Sequence, residues 1–83
     1  MKLLYFAWVR QKTGKSEEEL VLPAEIGNVG ALMAHLAARG GGYAEAFADP
    51  ARLRAAVNWE HAGFDASVRD GDEVAFFPPV TGG

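Results

Sequence analysis

The sequence predicts an α+β domain: a mixed sheet, one main helix packed on one of its faces, and an extended C-terminal tail. Three observations lead there. Apolar segments of strand length stand at both ends of the chain, residues 2–9 and 73–77. Between them the apolar residues take up a helical period at 29–36. The whole chain is only 83 residues long, with no internal repeat and no linker, which suits one small domain.

Residues 2–9, Lys-Leu-Leu-Tyr-Phe-Ala-Trp-Val, are dense in aromatic and aliphatic side chains and read as the first strand. Glu17 to Leu22 reads as a second strand, and Thr13-Gly14-Lys15-Ser16 as the turn of a hairpin between them. Pro23 has no N–H for a ladder and closes that strand. Val29, Leu32, Met33 and Leu36 then fall at i, i+3, i+4 and i+7, one face of a helix, with Asn28 as its N-cap. Gly40-Gly41-Gly42 reads as the helix stop and a flexible joint. Tyr43 to Ala48 fits a short second helix and Leu53 to Val57 a third strand. Asp70-Gly71-Asp72 is a turn signal ahead of the last strand, Glu73 to Phe77.

Strand, strand, helix, short helix, strand, strand is the order of a ubiquitin-like β-grasp. Its first and last strands lie side by side at the sheet centre, in keeping with their being the most apolar segments here. Residues 1–77 would form this domain and residues 78–83 its tail. Along the first strand Leu3, Tyr5, Ala7 and Val9 share one side, and Leu4, Phe6 and Trp8 the other. One helix cannot cover both faces of the sheet. Phe6, Trp8 and Phe77 are therefore expected to face outward, as an apolar patch that suits a protein partner.

Composition excludes several activities. Cysteine is absent, so the chain has no disulfide, no thiolate metal site and no cysteine nucleophile. A formal charge of −3 argues against nucleic acid as the main partner. No apolar run approaches the roughly 20 residues of a membrane span, and the N-terminus lacks a signal-peptide pattern. A soluble cytoplasmic protein is expected. His35 and His61 have no companions at metal-ligand spacing and are expected to be structural or solvent-exposed. Glu17-Glu18-Glu19 reads as a solvated charge run at a strand edge. Lys2, Arg10, Lys12 and Lys15 are half of the eight basic residues, and either steer an acidic partner or solubilise the surface.

The tail is the most informative segment. Pro78 and Pro79 detach the chain from the sheet and hold it extended. From Pro78 to Gly83 the chain reaches on the order of 20 Å at full extension. Gly82 and Gly83 have no Cβ, so a narrow channel would admit them where a side chain would clash. Such an arm suits delivery of its own terminal carboxylate into another protein's active site.

Leu4-Tyr5-Phe6-Ala7 with Val9-Arg10, Ala55-Ala56-Val57-Asn58, and the run Asp70-Gly71-Asp72-Glu73-Val74-Ala75-Phe76-Phe77-Pro78-Pro79-Val80-Thr81-Gly82-Gly83 resemble the small sulfur-carrier subunits of molybdopterin synthase. The resemblance spans the chain and is sharpest in its last third. It implies a non-catalytic subunit of a heterotetrameric sulfurtransferase that binds no cofactor or metal of its own. A ubiquitin-activating-like adenylyltransferase would use ATP to adenylate the Gly83 carboxylate, and a separate donor would convert the adenylate to a thiocarboxylate. Within the large synthase subunit the loaded tail would give sulfur to cyclic pyranopterin monophosphate. On this resemblance Gly83 bears the sulfur, and Gly82, Thr81, Val80, Pro79 and Pro78 give access. Phe6, Trp8 and Phe77 meet the partners, with Arg10 at the rim. Trp8 and Trp59-Glu60-His61 are bulkier than the family pattern. Two related readings use the same diglycine end: a thiamin-pathway sulfur carrier, and a ubiquitin-like modifier that forms amides with lysines. A plain binding module with an incidental glycine ending is a third.

Overall fold

A computed structural model describes residues 1–79 of the chain. The elements run β1 (Lys2–Tyr5), α1 (Ala7–Thr13), β2 (Glu17–Glu19), α2 (Val29–Ala37), α3 (Gly41–Ala46), a 3-10 turn (Pro50–Arg52), β3 (Arg54–Val57), β4 (Glu60–Ala62) and β5 (Glu73–Phe77). The strands form one mixed sheet in the order β2-β1-β5-β3-β4. The central pair, β1 and β5, is parallel, with Leu3 opposite Val74 and Tyr5 opposite Phe76. The remaining pairs are antiparallel. This is the expected α+β architecture, with the first and last strands adjacent.

Alternation along the strands divides the sheet into two unlike faces. Leu3, Tyr5, Ala55, Val74 and Phe76 are buried together with Val29, Leu32, Met33 and Leu36 of α2 and with Val9, Phe47 and Leu53. Phe76 sits at the centre of an aromatic cluster, stacked on Tyr5 and edge-to-face with Phe47 at 5.0 Å. Each of these large side chains gains about 1.5–3 kcal/mol on leaving water. The opposite face carries Leu4, Arg54, Ala56, His61, Ala75 and Phe77, by the register of the same ladders. The helical stripe of α2 is as expected, and its N-cap too: Asn28 Oδ1 accepts the Ala31 N–H at 2.8 Å.

The expected first strand is two elements. β1 stops at Tyr5, and residues 7–13 form α1. Phe6 still donates its N–H to the Phe76 carbonyl, and the chain then turns at Ala7, whose φ is +54°. Trp8, Val9 and Arg10 therefore ride on a helix. Val9 is fully buried, as its expected sharing of a side with Leu3 and Tyr5 required, but it reaches the core from the helix. Gly14, at φ +78°, closes α1 by donating its N–H to the Arg10 carbonyl. β2 pairs with β1 as expected, but it spans only Glu17–Glu19, and the connection is this helix rather than a tight hairpin.

The glycine run also does more than end a helix. α2 ends at Ala37, and Gly41 and Gly42 open α3, which packs against the C-terminal end of α1. β4 was not expected at all. Asn58 and Trp59, both at positive φ (+51° and +68°), make a two-residue loop that pairs Glu60–Ala62 back onto β3. His61, expected to be structural or solvent-exposed, lies exposed on this edge strand.

Candidate functional site

The site expected from the sequence is the end of the sheet from which the tail departs. β5 finishes at Phe77, and Pro78 and Pro79 follow outside any strand, half-buried. The Phe6 N–H to Phe76 carbonyl bond carries the β1–β5 ladder one step past Tyr5. That register puts Phe6 beside Phe77 on the face that no helix covers. Phe6 is 43% exposed and Phe77 half-buried. The two were expected to share an outward patch, and the register brings them together.

Trp8 and Arg10 stand apart from that pair. Trp8 packs half-buried against the core from α1, with the Arg52 guanidinium 5.0 Å over its ring. The indole is thus an amphipathic shoulder of the domain rather than a strand residue facing out. Arg10 is exposed on the same helix, and its carbonyl serves the α1 cap. Val80, Thr81, Gly82 and Gly83, the sites of tail access and sulfur loading, lie outside the described residues.

His61 joins the Phe77 end of the open face. Its ring meets Phe77 edge-to-face, with centroids 5.5 Å apart and planes at 84°. Beside it a depression of about 520 Å³ is lined by Val57, Asn58, Glu60, His61, Ala62, Gly63 and Ala66. Missing β4 concealed His61. The one available signal was Asn58, a residue suited to the left-handed first position of a two-residue hairpin loop.

The glutamate run behaves differently from a solvated edge. Glu18 lies opposite Leu3, so strand alternation turns it toward the helices while Glu17 and Glu19 stay exposed. Its carboxylate accepts the Tyr5 hydroxyl at 2.9 Å, the Tyr43 hydroxyl, and Arg39 Nη1 at 2.8 Å. Burial favours the neutral acid, but these three donors together outweigh it and hold the carboxyl below its ordinary range. Burial chiefly, with the bonded carboxylate adding to it, pushes the Tyr5 phenol well up. Glu18 is a structural hub that ties β2, β1 and α3 together.

At the opposite end of β5, Asp72 accepts from the Asn58 side-chain amide at 3.0 Å and from the Arg69 N–H at 2.9 Å. The Met1 ammonium donates to Asp70 at 3.2 Å. These contacts fix the turn that aims β5 toward the site. Among the described residues no group of three His, Asp or Glu could hold a metal ion. Among the described residues of the open face none sets a nucleophile against a base. The geometry offers an uncovered apolar edge at Phe6 and Phe77, where Pro78 and Pro79 leave the sheet.

A family model described as the ThiS family matches residues 3–83. The chain belongs to the ThiS family. Curated relatives agree over its full length. It is 47% identical over 83 residues to a molybdopterin synthase sulfur carrier subunit of Escherichia coli, covering 100% of this chain and 99% of the relative. It is 35% identical to the protein of the same name from Haemophilus influenzae, with the same coverage. In structure, this ThiS-family chain superposes with TM-score 0.75 on a Pyrococcus furiosus protein named as molybdopterin converting factor, subunit 1. The two are 35% identical, over 95% of each chain.

Proposed function

We propose that this ThiS-family chain is the small, sulfur-carrying subunit of a molybdopterin synthase, loaded at Gly83. The observation that carries the reading is the end-to-end identity of 47% with a protein of that name. The geometry supports it: a strand running out of the sheet centre into Pro78-Pro79, beside an open face with Phe6 and Phe77 at its edge.

The chemistry follows from what the chain lacks. Without cysteine it has no side-chain thiol to carry sulfur, so the load goes on the terminal carbonyl. A carboxylate resists attack because its leaving group is poor. A ubiquitin-activating-like adenylyltransferase overcomes this: a Gly83 carboxylate oxygen attacks the α-phosphate of ATP, and pyrophosphate leaves. A sulfur donor then displaces AMP, leaving a thiocarboxylate. Its soft, nucleophilic sulfur enters the pocket of the large subunit and is transferred to cyclic pyranopterin monophosphate. Pro78, Pro79, Val80, Thr81 and Gly82 form the arm that reaches the pocket. Phe77 and Phe6 seat the domain on the large subunit and, in turn, on the activating enzyme, with Trp8 and Arg10 at the margin. The acids and bases of the transfer belong to those partners. The chain binds no cofactor of its own, and it acts in the cytoplasm, where thiols stay reduced.

Intact-mass analysis of the chain isolated from cells containing the sulfur donor tests this. A fraction heavier by the difference between one sulfur and one oxygen atom is expected, and deletion of Gly83 should remove it. Recovery of the chain joined to other polypeptides through lysine amides would overturn the carrier reading in favour of a modifier.

A further inference from the structure

His61 stands on the uncovered sheet face with its ring against Phe77, the aromatic group at the root of the tail. An imidazole is the side chain whose ordinary titration, near pH 6.5, falls inside the cellular range. Among the described residues the charged groups around it supply no counter-ion. On β4, Glu60 points to the opposite face, in register with Val57. On β3, Arg54 shares the face and donates to the Leu53 carbonyl. Glu73 lies at the far end of β5, opposite Lys2, and Asp65 belongs to the loop after β4. Among the described residues no carboxylate forms an ion pair with His61.

We propose that docking of the large synthase subunit on this face is coupled to loss of a proton from His61. The inference rests on the reading that Phe77 seats the domain on that subunit. In the free protein an exposed imidazolium is hydrated at no cost. A partner that covers Phe77 also covers the ring packed on it, and a buried cation without a counter-ion is strongly disfavoured. The neutral ring, by contrast, is a flat, weakly polar surface that packs like its aromatic neighbour. The free protein therefore binds the proton better than the complex does, and affinity falls with pH. If the complex excludes the charged ring entirely, the dissociation constant should rise several-fold between pH 7.5 and 5.5.

The test is isothermal titration of the intact chain with its purified large subunit at pH 7.5, 6.5 and 5.5. His61→Gln, which is uncharged throughout, serves as the comparison. The expected result is a dissociation constant that climbs as pH falls for the native chain and stays within about twofold for the variant, a residual under 0.5 kcal/mol. A native curve that is flat, that climbs equally in His61→Gln, or that shows tighter binding at pH 5.5 overturns the inference while leaving the docking reading intact. No binding at any pH would end the docking reading itself, and this inference with it. Because His61 is exposed, the variant should fold as the native chain does, which its unfolding curve in urea will verify.

Discussion

A Cβ placed on Gly42 would lie 1.7 Å from the carbonyl oxygen of Lys12, because the start of α3 presses against the end of α1. No rotamer relieves that overlap, since both partners are backbone. Gly42→Ala must push the two helices apart, and a loss of roughly 1–3 kcal/mol, or failure to fold, is expected. Gly27→Ala is the control, because a Cβ there meets nothing within 4 Å. It should stay within about 0.5 kcal/mol of the native chain. Urea unfolding of both variants decides whether close approach, rather than flexibility, is what the glycine run supplies.

Glu18 gives the fold a sensitivity to acid. Its folded pKa is depressed, since three donors outweigh burial. Stability from this carboxylate is therefore complete above its unfolded pKa of about 4.3 and is lost as pH falls through the folded value. Glu18→Gln keeps the shape but loses the charge, and should cost about 1–3 kcal/mol at pH 7. The gap between native and variant should narrow from pH 5 downward, as urea midpoints at pH 7 and 3.5 would reveal. A gap unchanged at low pH would mean that the carboxylate is not the stabilising species.

Trp59 occupies a left-handed conformation at φ +68° with most of its indole in water, 71% exposed. Glycine adopts that conformation without the steric penalty of a Cβ. Trp59→Gly should therefore be neutral or stabilise by up to about 1 kcal/mol in thermal unfolding. A loss above that figure would show the indole contributing packing to the hairpin.

These three sites also mark where the sequence was hard to read. β5 and the α2 stripe were legible because their apolar residues follow one period from start to finish. Residues 2–9 were not, since an unbroken apolar run carries no period of its own. The turn at Ala7 depends on a positive φ in a residue that does not advertise it. β4 is three residues of an edge strand with no alternating apolar pattern, held by pairing to β3, so its existence is a tertiary fact. Glu18 looked like its exposed neighbours because only the register with Leu3 distinguishes it. The tail sequence, in contrast, was informative from residue types alone: two prolines remove two donors wherever they stand.

Phe76 and Phe77 are adjacent, and the pleat sends them to opposite faces. Phe76 is fully buried between Tyr5 and Phe47, whereas Phe77 lies on the open side against His61. Truncation to alanine should separate their roles. Phe76→Ala leaves a cavity in the core and should cost about 3–5 kcal/mol of folding stability. Phe77→Ala removes a half-buried ring and should cost about 1 kcal/mol or less. For assembly with the large subunit the order reverses: at a temperature where both variants are folded, Phe77→Ala should weaken binding by 10-fold or more, about 1.4 kcal/mol, and Phe76→Ala little. Calorimetric unfolding and titration of the two variants suffice. Equal losses of stability and affinity in Phe77→Ala would make that ring part of the core, and the docking surface would then have to lie elsewhere on the domain.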